Sequence, residues 1–459
     1  MATVPYFVLG PNTILSIYGL VHGPDKTVPT PAEDWRQATV DVVIPAYNEE
    51  TSIVLCIESL FRQTFKPHRI ILVNDGSKDR TVDVAGYFAE ENGIPLTVVS
   101  HRSSIGKTPG VKQEAHELSG DVEFVLDGDT ILESENYLAR VVEELYKGVG
   151  IASACGTIMP LHDSDREKIA AHENVRRFYK QHPDFTYIHD RTLFHHMTRY
   201  VTNIYREFLY FFLQNFIYHG QMALFGSIIN PVGCAVAYRR KYIESIFDQY
   251  EEMLGDNLTT SEDIFIGFAL QEMGYRNIQV PDILARSEEP EAQSVPHQIF
   301  MWSSAFVQSC YYFPELLKSP FKVFKRARHM REQKASGVED KRKIKEAYRQ
   351  AFGQEYTKKY GRPIGWTILL ALLEKITFPL VILIMLVLQL WEPLIITLVI
   401  ELTLLLILTA IISRHYNFDY VLKALVSTPM RYGSLMFDLV VMTRFLFDIF
   451  FARNRFWRK

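Results

Sequence analysis

The sequence predicts an α/β domain with a mostly parallel sheet, followed by a helical hairpin long enough to cross a membrane. Strand-like runs alternate with helical spacing from residue 40, acidic turns follow those strands, and residues 364–413 are almost wholly apolar. A chain of 459 residues has room for one large domain of this kind and for further elements.

Composition narrows the partners. The chain is 48% hydrophobic and 22% charged with a formal net charge of −4, and most of the charge precedes residue 363. So small a net charge does not supply a basic face, and nucleic acid is not expected as a partner. Cys56, Cys155, Cys234 and Cys310 lie far apart in no metal-ligand spacing, which predicts reduced, partly buried thiols.

Residues 1–38 read as an N-terminal extension. Its apolar run, 13–21, is too short to span and has no basic flank before it, so a packing or surface-lying segment is expected, not a signal peptide. From Val40 the pattern changes. Val40–Pro45 reads as a buried strand, 52–63 as a helix, Arg69–Asn74 as a second strand, and a helix starts from Arg80. Leu96–Val99 and Val122–Leu126 are the third and fourth strands. Such alternation builds a sheet covered by helices, with ligands bound beyond the carboxyl ends of its strands. The polar residues gather there: Tyr47-Asn48-Glu49 after the first strand, Asp75-Gly76-Ser77 after the second and Asp127-Gly128-Asp129 after the fourth. Two carboxylates flanking a glycine offer hard oxygen ligands to Mg2+ or Mn2+, and such an ion neutralises charge on a departing nucleotide diphosphate. Asp-Gly-Asp alone is also an ordinary polar turn; its place beside two other acidic turns favours a metal and polyphosphate site.

A bilayer crossing takes roughly 20 apolar residues. Residues 364–413 hold two such spans, near 369–390 and 394–413, with Trp391-Glu392-Pro393 as the turn. Glu374 and Lys375 fall near one interface, where they snorkel or pair, whereas Glu401 is deeper and needs a partner. Lysine and arginine are dense in 318–331 and 341–349, return at Arg414, Lys423, Arg431 and from Arg453 onward, and are absent from the turn. The positive-inside rule then puts the α/β domain and the C-terminus in the cytoplasm of an integral protein of a plasma or inner membrane. Residues 420–452 are apolar but carry Arg431, Asp438, Arg444 and Asp448, which suits an interfacial amphipathic helix better than a third span. The aromatic segment 204–229 suits either a membrane-face helix or domain core.

Five segments appear in a telling order: VDVVIPAYNEE, VNDGSKDRT, DGDT, PVGCAVAYRR (231–240) and TTSEDIFIGFALQEMGYR (259–276). Through them residues 40–310 resemble the family-two glycosyltransferases of GT-A fold, the group of cellulose, chitin and hyaluronan synthases. The resemblance implies a cytoplasmic GT-A domain over 39–310 with an insert at 160–230, a basic linker over 311–363, the hairpin over 364–413 and an interfacial region over 414–459. It implies that Tyr47, Glu49 and Asp75 hold the base and ribose, and that Lys107 sits near the nucleotide. It further implies that Asp127 and Asp129 meet the diphosphate, with Asp129 on Mg2+ or Mn2+, that Gly233 and Glu262 belong to the substrate-binding segments, and that Asp263 is the general base. Inverting transfer independently needs one carboxylate to take the acceptor proton, with no covalent intermediate. Asp263 also opens a helix, so an N-cap is its structural alternative.

One departure stands out. Processive relatives carry Gln-x-x-Arg-Trp; here the match is Gln298 to Trp302 with Met301 in place of arginine. Methionine offers no planar donor to phosphate, so either another cation substitutes, for instance Arg286 or His297, or diphosphate binding is weaker. Trp302 stacks on an acceptor sugar or packs in the core. The histidines of 160–230 have no helical ligand spacing and read as an insert, not a metal set. The resemblance thus implies transfer from a nucleotide sugar, UDP-sugar favoured, to a growing polysaccharide. A single transfer to a lipid-linked acceptor and an inactive scaffold are the alternatives. Since extruding relatives have more spans, a homo-oligomer or a channel partner is a further expectation.

Overall fold

The computed structural model describes residues 7–22, 34–148, 150–189, 192–254, 261–335, 350–414 and 418–447. The basic run 341–349, Thr259 and Thr260, Asp448 and the basic residues from Arg453 lie outside the described residues.

Eight strands form one sheet among the described residues: β1 Val40–Ala46, β2 Arg69–Asn74, β3 Leu96–Ser100, β4 Val122–Leu126, β5 Thr130–Leu132, β6 Ile151–Pro160, β7 Ala235–Arg239 and β8 Arg276–Ser287. Their order is β3-β2-β1-β4-β7-β6-β8-β5. β1 to β4 are mutually parallel, as the strand–helix alternation requires. Beyond β4 the sheet is mixed: β7 runs antiparallel to β4 and β6, β6 and β8 are parallel, and β5 is antiparallel to β8. β1 is buried along most of its length, which suits its Val-Asp-Val-Val-Ile run. Its buried Asp41 is satisfied by the Gly120 amide at 2.8 Å and the His68 ring at 3.0 Å. Because β1, β2 and β4 run the same way, their three acidic turns share one edge. Asn48, at φ +60°, ties two of them: its amide donates to Ser77 Oγ at 3.0 Å and its side-chain oxygen accepts from Lys78 N at 2.8 Å.

The aromatic segment after residue 204 is domain core. The helix Leu193–Phe212 runs into a π-helical turn, Leu213–Tyr218, and then the helix His219–Phe225, with Phe208, Phe212, Leu213 and Phe216 all buried. Residues 13–21 lie in the helix Pro11–His22, which is inverted relative to a soluble surface helix. It buries Asn12, Thr13, Ser16 and Gly19 and exposes Ile14, Ile17, Tyr18 and Val21. Gly19 is needed for that approach, since a Cβ there would fall 2.5 Å from the Gly220 carbonyl oxygen.

The apolar region forms two helices, Gly365–Val387 and Trp391–Ser413, each long and apolar enough to cross a membrane. Only 28% and 22% of their apolar windows are buried, unlike core helices of a soluble protein. The turn is earlier than expected. Leu388 to Leu390 make it, with Gln389 at φ +55°, and Trp391-Glu392-Pro393 open the second helix. Proline costs nothing there because a first-turn amide has no intrahelical partner. After the hairpin come the helices Asp419–Val426 and Thr428–Phe447. The second packs on the hairpin and supplies the partners the sequence left open: Arg431 meets Glu401, and Asp438 meets Lys375. Glu374 accepts from Asn12, through the amide at 2.7 Å and the side chain at 2.9 Å.

Candidate active site

Lys107 stands at the centre of the site as the first residue of the helix Lys107–Glu117. Its ammonium lies 2.7 Å from Asp127 Oδ1 and 2.7 Å from Glu262 Oε1, and donates to the Gly233 carbonyl at 3.2 Å. One cation thus joins the acidic turn after β4, the glycine segment before β7 and the start of the helix Glu262–Met273. Burial works against its charge, but Asp127 and Glu262 outweigh burial and keep the amine protonated well beyond its ordinary range.

Asp263 is the second residue of that helix. Its Oδ2 accepts from the Gly233 amide at 3.0 Å, and its Oδ1 from Ser261 Oγ at 2.5 Å and the Ile264 amide at 2.8 Å. Ser261, not Asp263, takes the capping position with extended backbone. A Cβ on Gly233 would fall 2.8 Å from Asp263 Cβ and 2.9 Å from its carboxyl carbon, so only glycine lets the two segments meet. Oδ1 is thereby filled, while Oδ2 keeps acceptor capacity beyond its one bond.

Asp127, Asp129, Glu49 and Glu288 crowd the neighbouring edge. A Cβ on Gly128 would lie 3.2 Å from Glu49 Cγ, so the turn closes directly over that side chain. Asp129 Oδ1 accepts from Thr130 Oγ1 at 3.1 Å and Ser287 Oγ at 3.4 Å. Burial, then Asp127 and Glu288, push Asp129 up to about 7. Burial, then Asp129 and Glu288, push Glu49 up to about 9. Glu288 goes the other way: against burial, His189 at 3.1 Å, Arg199 at 2.7 Å and Arg166 at 3.0 Å hold it well below the usual carboxylate range. Glu49 and Asp129 therefore sit where their own ionisation is resisted, and a dication would relieve both. Among the described residues no three histidine, cysteine, aspartate or glutamate side chains form a ready cage. That suits Mg2+ or Mn2+ held by one or two carboxylates and completed by phosphate oxygens and water.

The other expected residues fall around this centre. Asp75 accepts from Ser104 Oγ at 2.5 Å, the Ile105 amide at 2.7 Å and the Gly106 amide at 3.0 Å. These bonds outweigh burial, lower its pKa and fix the loop that delivers Lys107. Tyr47 is exposed at the edge of the acidic turns. Gln298 and Trp302 lie one turn apart on the helix Val295–Tyr312. The arginine beside them is neither expected substitute. His297 is exposed, and Arg286 is held by Glu133, the Pro160 carbonyl at 3.2 Å and Asp165 at 3.4 Å, lining a separate cavity of about 180 Å³. Arg206 is the guanidinium that bonds Gln298 and lies 4.8 Å over the Trp302 ring.

Glu288, Glu289, Arg199 and Arg206 were not singled out from sequence for this site. Ser-Glu-Glu-Pro closing β8 was the available signal, an acidic pair at a strand end like the other three turns. Histidines of the insert face separate carboxylates: His162 pairs with Glu207 at 2.6 Å, His172 with Glu58 at 3.4 Å, His182 with Glu91 at 2.5 Å and His189 with Glu288 at 3.1 Å.

Residues 41–247 match the family model described as Glycosyl transferase family 2. The chain is 34% identical over 120 residues to an undecaprenyl-phosphate 4-deoxy-4-formamido-L-arabinose transferase of Serratia proteamaculans, covering 25% of this chain and 37% of that relative. It is 22% identical over 294 residues to an N-acetylglucosaminyltransferase of Rhizobium leguminosarum, covering 62% of this chain and 60% of the relative. The chain thus spans less than two thirds of the length of these relatives. A mannosyltransferase of Pyrobaculum calidifontis, in complex with GDP-Man and Mn2+, superposes with a TM-score of 0.50 at 13% identity, over 96% of this chain and 95% of that chain. That likeness extends through the apolar hairpin and shows a shared fold.

Proposed function

Since residues 41–247 match the Glycosyl transferase family 2 model, we propose that the chain performs an inverting, metal-dependent transfer of a sugar from a nucleoside-diphosphate donor to a growing polysaccharide at the cytoplasmic membrane face. The observation that carries this reading is the Lys107 ammonium, bonded at once to Asp127, Glu262 and the Gly233 carbonyl, with the Gly233 amide holding Asp263. A diphosphate-facing turn and a candidate base thereby meet at one fixed charge.

In this reading the acceptor hydroxyl attacks the anomeric carbon while its proton passes to the Asp263 carboxylate. The bond from that carbon to the diphosphate breaks on the opposite face, and the nucleoside diphosphate leaves with the electron pair. The Gly233 and Ile264 amides orient the carboxylate for that role, and Lys107 offsets charge beside Asp127. Asp129, with Asp127 or Glu49, would hold Mg2+ or Mn2+, which supplies charge neutralisation for the diphosphate when bound. Tyr47, Glu49 and Asp75 take the nucleoside side, and Gln298 and Trp302 the acceptor side. Both ends of the apolar hairpin carry basic residues, which supports a cytoplasmic domain.

A second reading, transfer to a lipid-linked acceptor, has its own support. The helix that carries Arg199 and Arg206 also exposes Leu193, Phe194, Met197 and Tyr200, each at least 60% accessible. Such a row beside a site favours a membrane-borne substrate. Detergent-purified protein offered a panel of UDP- and GDP-sugars with Mg2+ or Mn2+ tests both readings. Nucleotide release from one donor is expected, with a ladder of products for polymer extension and a single added sugar for lipid transfer. No release from any donor, with acceptors supplied and folding verified, overturns the transferase reading and leaves an inactive scaffold.

A further inference from the structure

We propose that Arg206 supplies the guanidinium that grips the leaving nucleoside diphosphate, the role that Met301 cannot fill in the Gln298–Trp302 segment. The inference rests on the glycosyl-transfer reading and names a binding residue for it. Gln298 and Trp302 share one face of their helix, and residue 301 is where a motif arginine would stand between them. Arg206 reaches the same pair from a different helix, 92 residues earlier in the chain than its Gln298 partner. Its Nη2 donates to Gln298 Oε1, and its Cζ lies 4.8 Å over the Trp302 ring. The constellation of amide, guanidinium and indole is thus rebuilt in space although it is broken in sequence.

Two further observations point to a ligand rather than a purely structural arginine. Arg206 is completely buried, yet its Nε and Nη1 have no hydrogen-bond partner among the described residues, and Glu289 approaches Nε only to 3.5 Å. A buried guanidinium with unfilled donors carries a desolvation cost that phosphate oxygens would remove, and the planar fork matches them. The place is also right. Glu289 follows Ser287 by two residues at the end of β8, and Ser287 Oγ donates to Asp129 Oδ1 at 3.4 Å. The Arg206–Glu289 pair is thus two residues along the chain from a contact with the turn that would meet the diphosphate.

The test is calorimetric binding of UDP against UMP, and of GDP against GMP, with Mn2+, to the full chain in detergent. It compares wild type, Arg206→Lys, Arg206→Met and the double variant Arg206→Met/Met301→Arg. For the nucleotide pair that wild type binds, diphosphate affinity should fall at least tenfold in Arg206→Lys and further in Arg206→Met, with monophosphate affinity unchanged. Turnover should fall about 100-fold or more in Arg206→Met, as when a charge-stabilising donor is removed. Discrimination between diphosphate and monophosphate should return in the double variant. Equal weakening of both nucleotides in a folded Arg206→Lys protein, or no weakening, overturns the proposal, as does a folded double variant that stays undiscriminating. Arg206→Lys guards against a core that merely collapses. Wild type that binds diphosphate but transfers no sugar would instead defeat the transferase reading alone.

Discussion

The site and the apolar hairpin both bury ionisable groups: the hairpin pairs its carboxylates with cations, whereas the site also sets carboxylates against one another. Arg431 meets Glu401 through two bonds of 2.6 Å, and Tyr432 and the Val8 amide fill the remaining acceptor positions at 2.6 and 3.0 Å. Lys375 meets Asp438 at 2.6 Å and Ser303 at 3.3 Å. In the site, by contrast, Glu49 and Asp129 face like charges, and Arg206 keeps two unfilled donors. A buried charge with its partner in place builds architecture; one whose partner is missing from the chain prepares for a ligand.

That contrast can be broken at several points. The largest effect is expected from Asp263→Asn, which removes the proton acceptor: turnover should fall by about 10²–10⁴ while thermal unfolding hardly moves. Turnover near wild type in a folded variant would remove Asp263 as base. In the hairpin the effect should appear in stability instead. Arg431→Met leaves the buried Glu401 without its cation and should lower unfolding stability in detergent by about 3–5 kcal/mol, with most of that recovered in Glu401→Leu/Arg431→Met. A smaller loss is expected from Gly233→Ala, whose methyl would displace the Asp263 carboxylate: roughly tenfold to 100-fold in turnover, with nucleotide binding kept.

The smallest effect concerns pH. The raised carboxylates favour the folded state fully below about pH 4, near their unfolded range, and that contribution is lost as pH rises through about 7 for Asp129 and about 9 for Glu49. Metal-free protein should therefore lose thermal stability between pH 5 and pH 9, and Mn2+ should restore it. Asp129→Asn should unfold roughly 2–4 °C higher than wild type at pH 8 without metal, yet gain less from Mn2+. A wild-type midpoint that rises with pH in metal-free buffer would contradict the crowded-carboxylate account.

Much of the donor half was legible in the sequence. Strands β1 to β4 announce themselves as apolar runs ended by acidic turns, and parallel pairing brings those turns to one edge. The second half of the sheet was not legible. β6 reads Ile-Ala-Ser-Ala-Cys-Gly-Thr and has neither alternation nor many β-branched residues, so its strand character comes from pairing with β7 and β8. Lys107 was legible only through resemblance, because nothing local marks a lysine that bridges residues 20 and 155 positions away. Arg206 was harder still. Its partner lies 92 residues along, in a segment where the sequence pointed to Arg286 and His297. Glu401 advertised that it needed a partner, but its identity depends on how a third helix docks on the hairpin.

The bond from the Val8 amide to Glu401 spans 393 residues of chain. At about 5–20 residues per second of synthesis, the start of the chain waits roughly 20–80 s for its acceptor to be made. The helix Pro11–His22, whose outward face is apolar, has to be kept from aggregating through that interval. Early capture of this helix by the bilayer would hold it in place until the hairpin arrives.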